Sequence, residues 1–71
     1  MSNFKLHIQE AVKIAGTQKA LAEAIGVSQQ GISYLLTDAK DISPEIAVAI
    51  DKFTGGKISK ADLRPDIWEA A

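Results

Sequence analysis

Apolar residues recur at intervals of three or four positions along several stretches of this chain, with polar residues between them. This spacing is typical of amphipathic helices whose apolar stripe faces a core. The first stretch predicts a helix that is capped by Ser2 or Asn3 and ended by Gly16. Its apolar stripe consists of Phe4, Ile8, Ala11, Val12 and Ala15.

Residues 17–36 contain two shorter helical patterns that meet at a single glycine. Thr17 is a suitable N-cap for the first helix, because its hydroxyl can accept a hydrogen bond from an unpaired backbone amide. Gly26 stands where this helix must stop, in a left-handed conformation that glycine adopts without a Cβ penalty. Ser28 is placed to cap the second helix. The two predicted apolar faces consist of Leu21, Ala24 and Ile25, and of Ile32, Leu35 and Leu36.

Two short helices across a turn of three or four residues predict a helix-turn-helix. Ala22 fits this geometry, since helices that cross at a steep angle need a small side chain where they meet. The apolar positions alone are equally compatible with an ordinary helical hairpin that packs a core and binds nothing. The polar positions must therefore distinguish the two interpretations.

The polar face of the second helix favours DNA binding. Its first turns carry uncharged hydrogen-bonding groups, where a solvated face would more often hold Glu and Lys. Gln side chains can pair bidentately with adenine, and Ser and Tyr hydroxyls suit base edges or phosphates. We therefore expect this helix to enter a DNA major groove. The candidate residues on it are Ser28, Gln29, Gln30, Ser33 and Tyr34.

Gln opens both helices of the motif, and the order of defining residues is Gln18, Ala22, Gly26, Gln29, Gly31, Ile32 and Leu35. In this order the chain resembles the helix-turn-helix of lambdoid phage repressors and Cro proteins. The resemblance implies that Gln29 reads a base, while Gln18 braces it and touches a phosphate. It also makes Gln30 and Ser33 the next base-facing candidates.

The C-terminal segment FTGGKISKADLRPDIW, residues 53–68, carries a second resemblance. It is similar to the ending of small prophage Cro-like regulators of the YdaS type, in which a helix leads to a Gly pair and then to a Leu-Arg-Pro-Asp run. The two resemblances imply a lambda-repressor-like domain and a Cro-type repressor of phage or prophage origin. Such a protein would bind a palindromic operator as a homodimer, with one recognition helix per half-site.

After the motif, residues 37–42 are expected to form a polar loop. The sequence Ser43-Pro44-Glu45 is a helix start, with Ser as the cap and Pro at the first helical position. This helix should run to about Thr54 and stop at Gly55 or Gly56. Its expected buried stripe is Ile46, Ile50 and Phe53, with Ala47 and Ala49 filling in.

Beyond these glycines, residues 59–62 form a capping-box-like start for one helical turn, which Pro65 prevents from extending. The tail is apolar enough either to fold back over the core or to meet a second copy. Packing within the chain is favoured for Leu63, while both outcomes stay open for Trp68. Residues 57–58 and residues 66–68 could also form two short extended segments. The residues expected at a dimer contact are Ile58, Ile67 and Trp68.

Length and composition indicate one all-α domain over residues 1–71, a compact bundle of four to five short helices. The chain is 46% hydrophobic with few aromatic residues, and it lies near the lower size limit for a stable single core. It has no Cys, and its single His, His7, cannot form a metal cluster by itself. No metal, cofactor or small-molecule ligand is expected. An enzyme is disfavoured, because nothing supplies a nucleophile, a general base or a phosphate-cradling glycine loop.

Charge predicts weak general affinity for DNA. The net charge is −1, with four cations against three anions in residues 1–40 and four against six in residues 41–71. Few phosphate charge contacts and a shallow salt dependence should follow. Lys5, Gln9 and Lys13 are expected to form a solvated face. The remaining candidate DNA contacts are Thr17, Lys19 and Lys40.

The apolar runs are far shorter than a membrane span, and the N-terminus lacks the basic-then-apolar order of a signal peptide. The expected location is therefore the cytoplasm, and the resemblance to prophage regulators implies that of a bacterial host. The expected partner is double-stranded DNA. The alternative is an antitoxin-like interaction module, in which the same helical surface or the neighbourhood of Trp68 binds a partner protein.

Overall fold

A computed structural model describes residues 4–68, which form five helices and no strand. In chain order these are α1 (Phe4–Ala15), α2 (Gln18–Ile25), α3 (Gln29–Thr37), α4 (Pro44–Thr54) and α5 (Lys60–Leu63). The predicted all-α bundle is confirmed. The sequence left open short extended pieces at 57–58 and 66–68, and these do not form, since both segments are bends and turns. The expected caps of α1, Ser2 and Asn3, lie outside the described residues.

The hydroxyl residues predicted as caps all begin helices. The Oγ1 of Thr17 accepts a hydrogen bond of 3.0 Å from the amide of Ala20. Ser28, Ser43 and Ser59 cap α3, α4 and α5 in the same way, and Ser59 shares a reciprocal capping box with Asp62. These bonds satisfy amides that have no partner inside the helix, so the start of each helix follows from local sequence.

The core lies where α1, α2 and α3 pack on one another, with α4 and α5 closing it. Two predicted apolar faces need correction. On α2 the expected core residue Ala24 is exposed, and the buried residues are Leu21 and Ala22. Ile46 and Phe53 are only half-buried on α4. The largest fully buried side chains are Ile8, Leu21, Ile32, Ile42, Ile50, Ile58 and Leu63.

The segment between α3 and α4 is not the polar loop expected at residues 37–42. Thr37 belongs to α3, and the side chains of Ala39 and Ile42 are buried in the core. Their neighbours Asp38, Lys40 and Asp41 are exposed. The two apolar residues therefore anchor the segment in the core.

The C-terminal segment folds back on its own chain. Leu63 is fully buried, as expected, and Ile58 is only 2% exposed. Ile58 therefore faces its own core and offers no surface to a second copy, which corrects its expected place at a dimer contact. Trp68 packs half-buried against the core, with the Nζ of Lys60 5.4 Å from the centre of its ring. Ile67 keeps 45% of its surface exposed.

Candidate nucleic-acid interface

The turn between α2 and α3 places the second helix. Gly26 has φ = 78°, and its amide and that of Val27 both donate to the carbonyl of Ala22 at the end of α2. Two residues after Gly26, the Oγ of Ser28 accepts a 3.0 Å hydrogen bond from the amide of Gly31. The chain thus leaves one helix and enters the next within three residues. This is the helix-turn-helix geometry expected from the sequence.

The predicted recognition residues share one exposed region at the start of α3. Tyr34 keeps 56% of its surface exposed, and Ser28, Gln29, Gln30 and Ser33 are also in the exposed class. The opposite side of α3 contributes Ile32 and Leu35 to the core. Packing therefore fixes which face of α3 points outward, and the uncharged polar residues occupy that face.

The electrostatic character of α3 is neutral. Its sequence, QQGISYLLT, contains no acidic or basic residue. The hydroxyl of Thr37 donates a 2.9 Å hydrogen bond to the carbonyl of Ser33, so this polar group is bonded within the last turn of α3. A neutral face can exchange hydrogen bonds with base edges, but it adds little attraction to phosphates.

Gln18, the first residue of α2, is half-buried. It lines an open cavity of about 400 Å³ together with side chains from α1 and α3. Within residues 4–68 no hydrogen bond joins Gln18 to Gln29, so the bracing role implied by the resemblance stays a prediction. The other residues that line the cavity are Gln9, Val12, Lys13 and Leu36.

The lysines near the motif differ in their contacts. Lys19 and Lys40 are exposed, as is the cap residue Thr17. Lys5 was expected on a solvated face, but its Nζ donates a 3.0 Å hydrogen bond to the carbonyl of Thr37. A cation at this end stabilises α3, because unpaired carbonyls give the C-terminus of a helix a partial negative charge. Lys5 therefore secures α3 to α1.

Sequence reasoning missed the cavity that Gln9 and Lys13 help to line. These residues are four positions apart on α1 and so lie on one side of the helix, a spacing that the sequence already contains. Their proximity to Gln18 and Leu36 depends on tertiary packing, which no local pattern encodes.

Two other properties of the described residues bear on the site. No group of three His, Asp or Glu side chains in residues 4–68 is arranged to hold a metal ion. None of the helices in that range is long and apolar enough to cross a membrane.

Comparison with known proteins identifies the family. A family model described as "Bacterial toxin YdaS" matches residues 8–71. The chain belongs to the YdaS family. A relative in Escherichia coli strain K12, named "Putative transcriptional regulator YdaS", is 30% identical over 59 residues. The aligned region is 83% of this chain and 60% of the relative, so the chain spans less than two thirds of that protein. No solved structure matches the chain.

The match confirms the resemblance to regulators of the YdaS type that residues 53–68 indicated. The matched region includes the whole of α2 to α5 and most of α1. The match therefore spans both the two helices joined at Gly26 and the C-terminal segment of this chain.

Proposed function

We propose that this YdaS-family protein is a transcriptional regulator that binds double-stranded DNA in a sequence-specific manner. The observation that carries the proposal is the exposed, uncharged hydrogen-bonding face of α3, held outward by the buried Ile32 and Leu35. The E. coli relative that is named a transcriptional regulator supports the same function. In this function α3 is the recognition helix.

The dimensions of α3 suit this role. An α-helix with its side chains is about 10–12 Å in diameter, and a B-DNA major groove about 12 Å wide admits it. The nine residues of α3 make this helix about 14 Å long. Gln29 reads a base through its side-chain amide, with adenine as the best partner. Gln30, Ser33 and Tyr34 contact neighbouring base edges or phosphates.

Further contacts to the DNA backbone come from outside α3. Thr17, Gln18 and Lys19 at the start of α2 contact phosphates on one side of the groove, and Lys40 contacts the backbone beyond the end of α3. Because α3 has no charge, these contacts are few, and the affinity depends weakly on salt.

The active species is a homodimer on a palindromic operator, and it acts as a Cro-type repressor by occluding a promoter. Two recognition helices about 34 Å apart would read half-sites one DNA turn from each other. Ile67 and the exposed part of Trp68 supply the apolar surface for this contact. Ile67 keeps 45% of its surface exposed, and replacing it with Glu should weaken self-association in sedimentation velocity.

A selection from random duplexes, performed at low and at moderate salt, tests the proposal. Enrichment of one palindrome is expected, and its half-site spacing would report the dimer geometry. Enrichment of a single half-site would retain the DNA-binding function and reject the dimer. No enrichment at either salt, with a folded protein, would overturn the proposed function.

A second candidate function is binding to a partner protein. The family description names a toxin rather than a regulator, and α1 carries two exposed apolar side chains, Leu6 and Ile14, that the core does not use. Residues eight positions apart lie on one side of a helix, so these two could contact a partner together. Failure of the duplex selection would favour this candidate.

A further inference from the structure

We propose that the cavity lined by Gln9, Val12, Lys13, Gln18 and Leu36 receives one backbone phosphate of the bound duplex, with Lys13 as its charged contact. This inference rests on the proposed DNA-binding function. It extends the DNA interface from the helix-turn-helix onto α1, where the sequence pattern favoured a solvated face over a direct DNA role.

The chemistry of the cavity suits a phosphodiester. The Lys13 ammonium supplies up to three donors, and the side-chain amides of Gln9 and Gln18 supply two each. Val12 and Leu36 are half-buried and give an apolar wall that can pack against the carbons of a deoxyribose. Lys13 is the charged residue among those that line the cavity, so the cavity carries a positive charge, and no carboxylate lines it.

The donors in the cavity are available. Among residues 4–68, the Nζ of Lys13 makes no ion pair, and the amides of Gln9 and Gln18 make no side-chain hydrogen bond. Lys5 on the same helix differs, since its Nζ is already bonded to the carbonyl of Thr37. Lys13 can therefore bind an external anion without breaking a contact that holds the fold together.

The position of the cavity makes a DNA phosphate the expected occupant. Leu36 follows Ser33 by three residues and Gln29 by seven, so the three lie along one side of α3. The cavity thus borders the base-reading face and includes Gln18, which the resemblance already places at a phosphate. A groove occupied by α3 is flanked by sugar-phosphate backbone, which brings phosphates to this border.

Replacing Lys13 with Gln in the full chain tests the inference through the salt dependence of binding. Each phosphate contact contributes about 0.9 to the slope of log K against log salt on B-DNA. Each protomer of the proposed homodimer makes this contact once, so the dimer should lose roughly sixtyfold more affinity than Lys13→Gln over a tenfold rise in salt, or about eightfold for each half-site. Both proteins should select the same palindrome, because a phosphate contact carries no base information. Lys13→Arg should restore the steeper slope.

Lys52→Gln is the matched control, since Lys52 is exposed in the last turn of α4 and does not line the cavity. This variant should keep the wild-type slope. A second measurement places single neutral methylphosphonates along the selected operator. One position in each half-site should weaken wild type more than it weakens Lys13→Gln, because the variant has already lost its charged contact to that phosphate.

The outcomes separate this inference from the proposed function. If wild type binds the operator but Lys13→Gln keeps the full slope, and every methylphosphonate affects both proteins equally, the phosphate site is rejected and the DNA-binding function stands. If wild type selects no duplex, both proposals fail together.

Discussion

The Nη1 of Arg64 donates a hydrogen bond of 2.6 Å to the carbonyl oxygen of Ile42, twenty-two residues earlier in the chain. Ile42 lies in the segment between α3 and α4, and Arg64 ends α5. The Nε and Nη2 of the same guanidinium pair with the carboxylate of Asp66 at 2.9 and 2.7 Å. Asp66 thereby orients the group that ties the C-terminal turn to the segment following α3.

The Asp66 carboxylate should stabilise the fold at neutral pH and lose this effect in acid. Its hydrogen bonds from Arg64 lower its pKa below the ordinary value of 3.8. A lowered pKa in the folded state means that the carboxylate stabilises the fold above pH 3.8, and that this contribution is lost as the pH falls through the folded-state pKa. Urea unfolding should therefore find Asp66→Asn less stable than wild type at pH 6, with the difference shrinking below pH 3.8.

The Arg64→Ala background is the control for this effect. There the carboxylate has lost its partner, so adding Asp66→Asn should produce little pH-dependent difference. If wild type stays more stable than Asp66→Asn by a constant amount down to pH 2.5, the ion pair does not contribute to stability through its charge.

Gln29→Ala should reduce specific binding while leaving the protein folded. Gln29 is exposed, and a lost bidentate base contact costs about 1–3 kcal/mol at the cognate site. Preference at one base position of each half-site should relax. A binding titration against the selected operator and its single-base variants measures both effects, with Lys52→Gln as a control that keeps the preference. Unchanged affinity and preference would reject Gln29 as a base reader.

Two glycines of the motif should respond in opposite ways to Ala. Gly26 has φ = 78°, and an added Cβ would meet no atom within 4 Å, so Gly26→Ala isolates the backbone penalty of about 1–2 kcal/mol. Gly31 lies inside α3, where Ala is favoured over Gly by up to about 1 kcal/mol and the nearest atom to the new Cβ is the Ser28 Oγ at 3.4 Å. Thermal unfolding should give a lower midpoint for Gly26→Ala and an equal or higher one for Gly31→Ala. An equal drop in the unfolding midpoint of both variants would contradict this explanation.

Thr54→Val should destabilise the protein more than Thr54→Ser. Thr54 is 8% exposed, and its hydroxyl donates to the carbonyl of Ile50 at 2.8 Å and accepts from the amide of Ile58 at 3.1 Å. Val removes the acceptor and leaves a buried amide unpaired, which costs about 1–3 kcal/mol. Ser keeps the hydroxyl and loses one methyl group, worth about 0.8 kcal/mol. Chemical denaturation of the three proteins gives the comparison, and a Ser variant less stable than the Val variant would overturn it.

The sequence was most informative where a structural feature depends on neighbouring residues. Thr17, Ser28, Ser43 and Ser59 each cap a helix through an amide three residues ahead, so a window of four residues contains both partners. Glycines such as Gly26 mark left-handed stops for the same reason, because the preference belongs to the residue itself.

The sequence was less informative where a contact joins distant residues. Periodicity identified the apolar side chains but misplaced Ile58 at an interface, because an apolar residue near a chain end suits a core and a contact surface equally well. Thr54 and Arg64 were not singled out as structural residues. Their hydrogen bonds to Ile58 and Ile42 require two segments to meet in space, and a polar side chain alone does not reveal which segment it will meet.

The sequence by itself determined where α2 to α5 begin, the turn at Gly26 and the uncharged polar face of α3, since each depends on the conformational preference or spacing of a few adjacent residues. Only the tertiary structure decided that Ile42 and Ile58 belong to the core, that Lys5 holds the end of α3, and that Lys13 stands beside Gln18 at a cavity. Those arrangements depend on how three helices pack together, and burial of apolar surface can be satisfied by more than one pairing of the same faces. The site therefore combines a locally encoded helix with an environment set by packing.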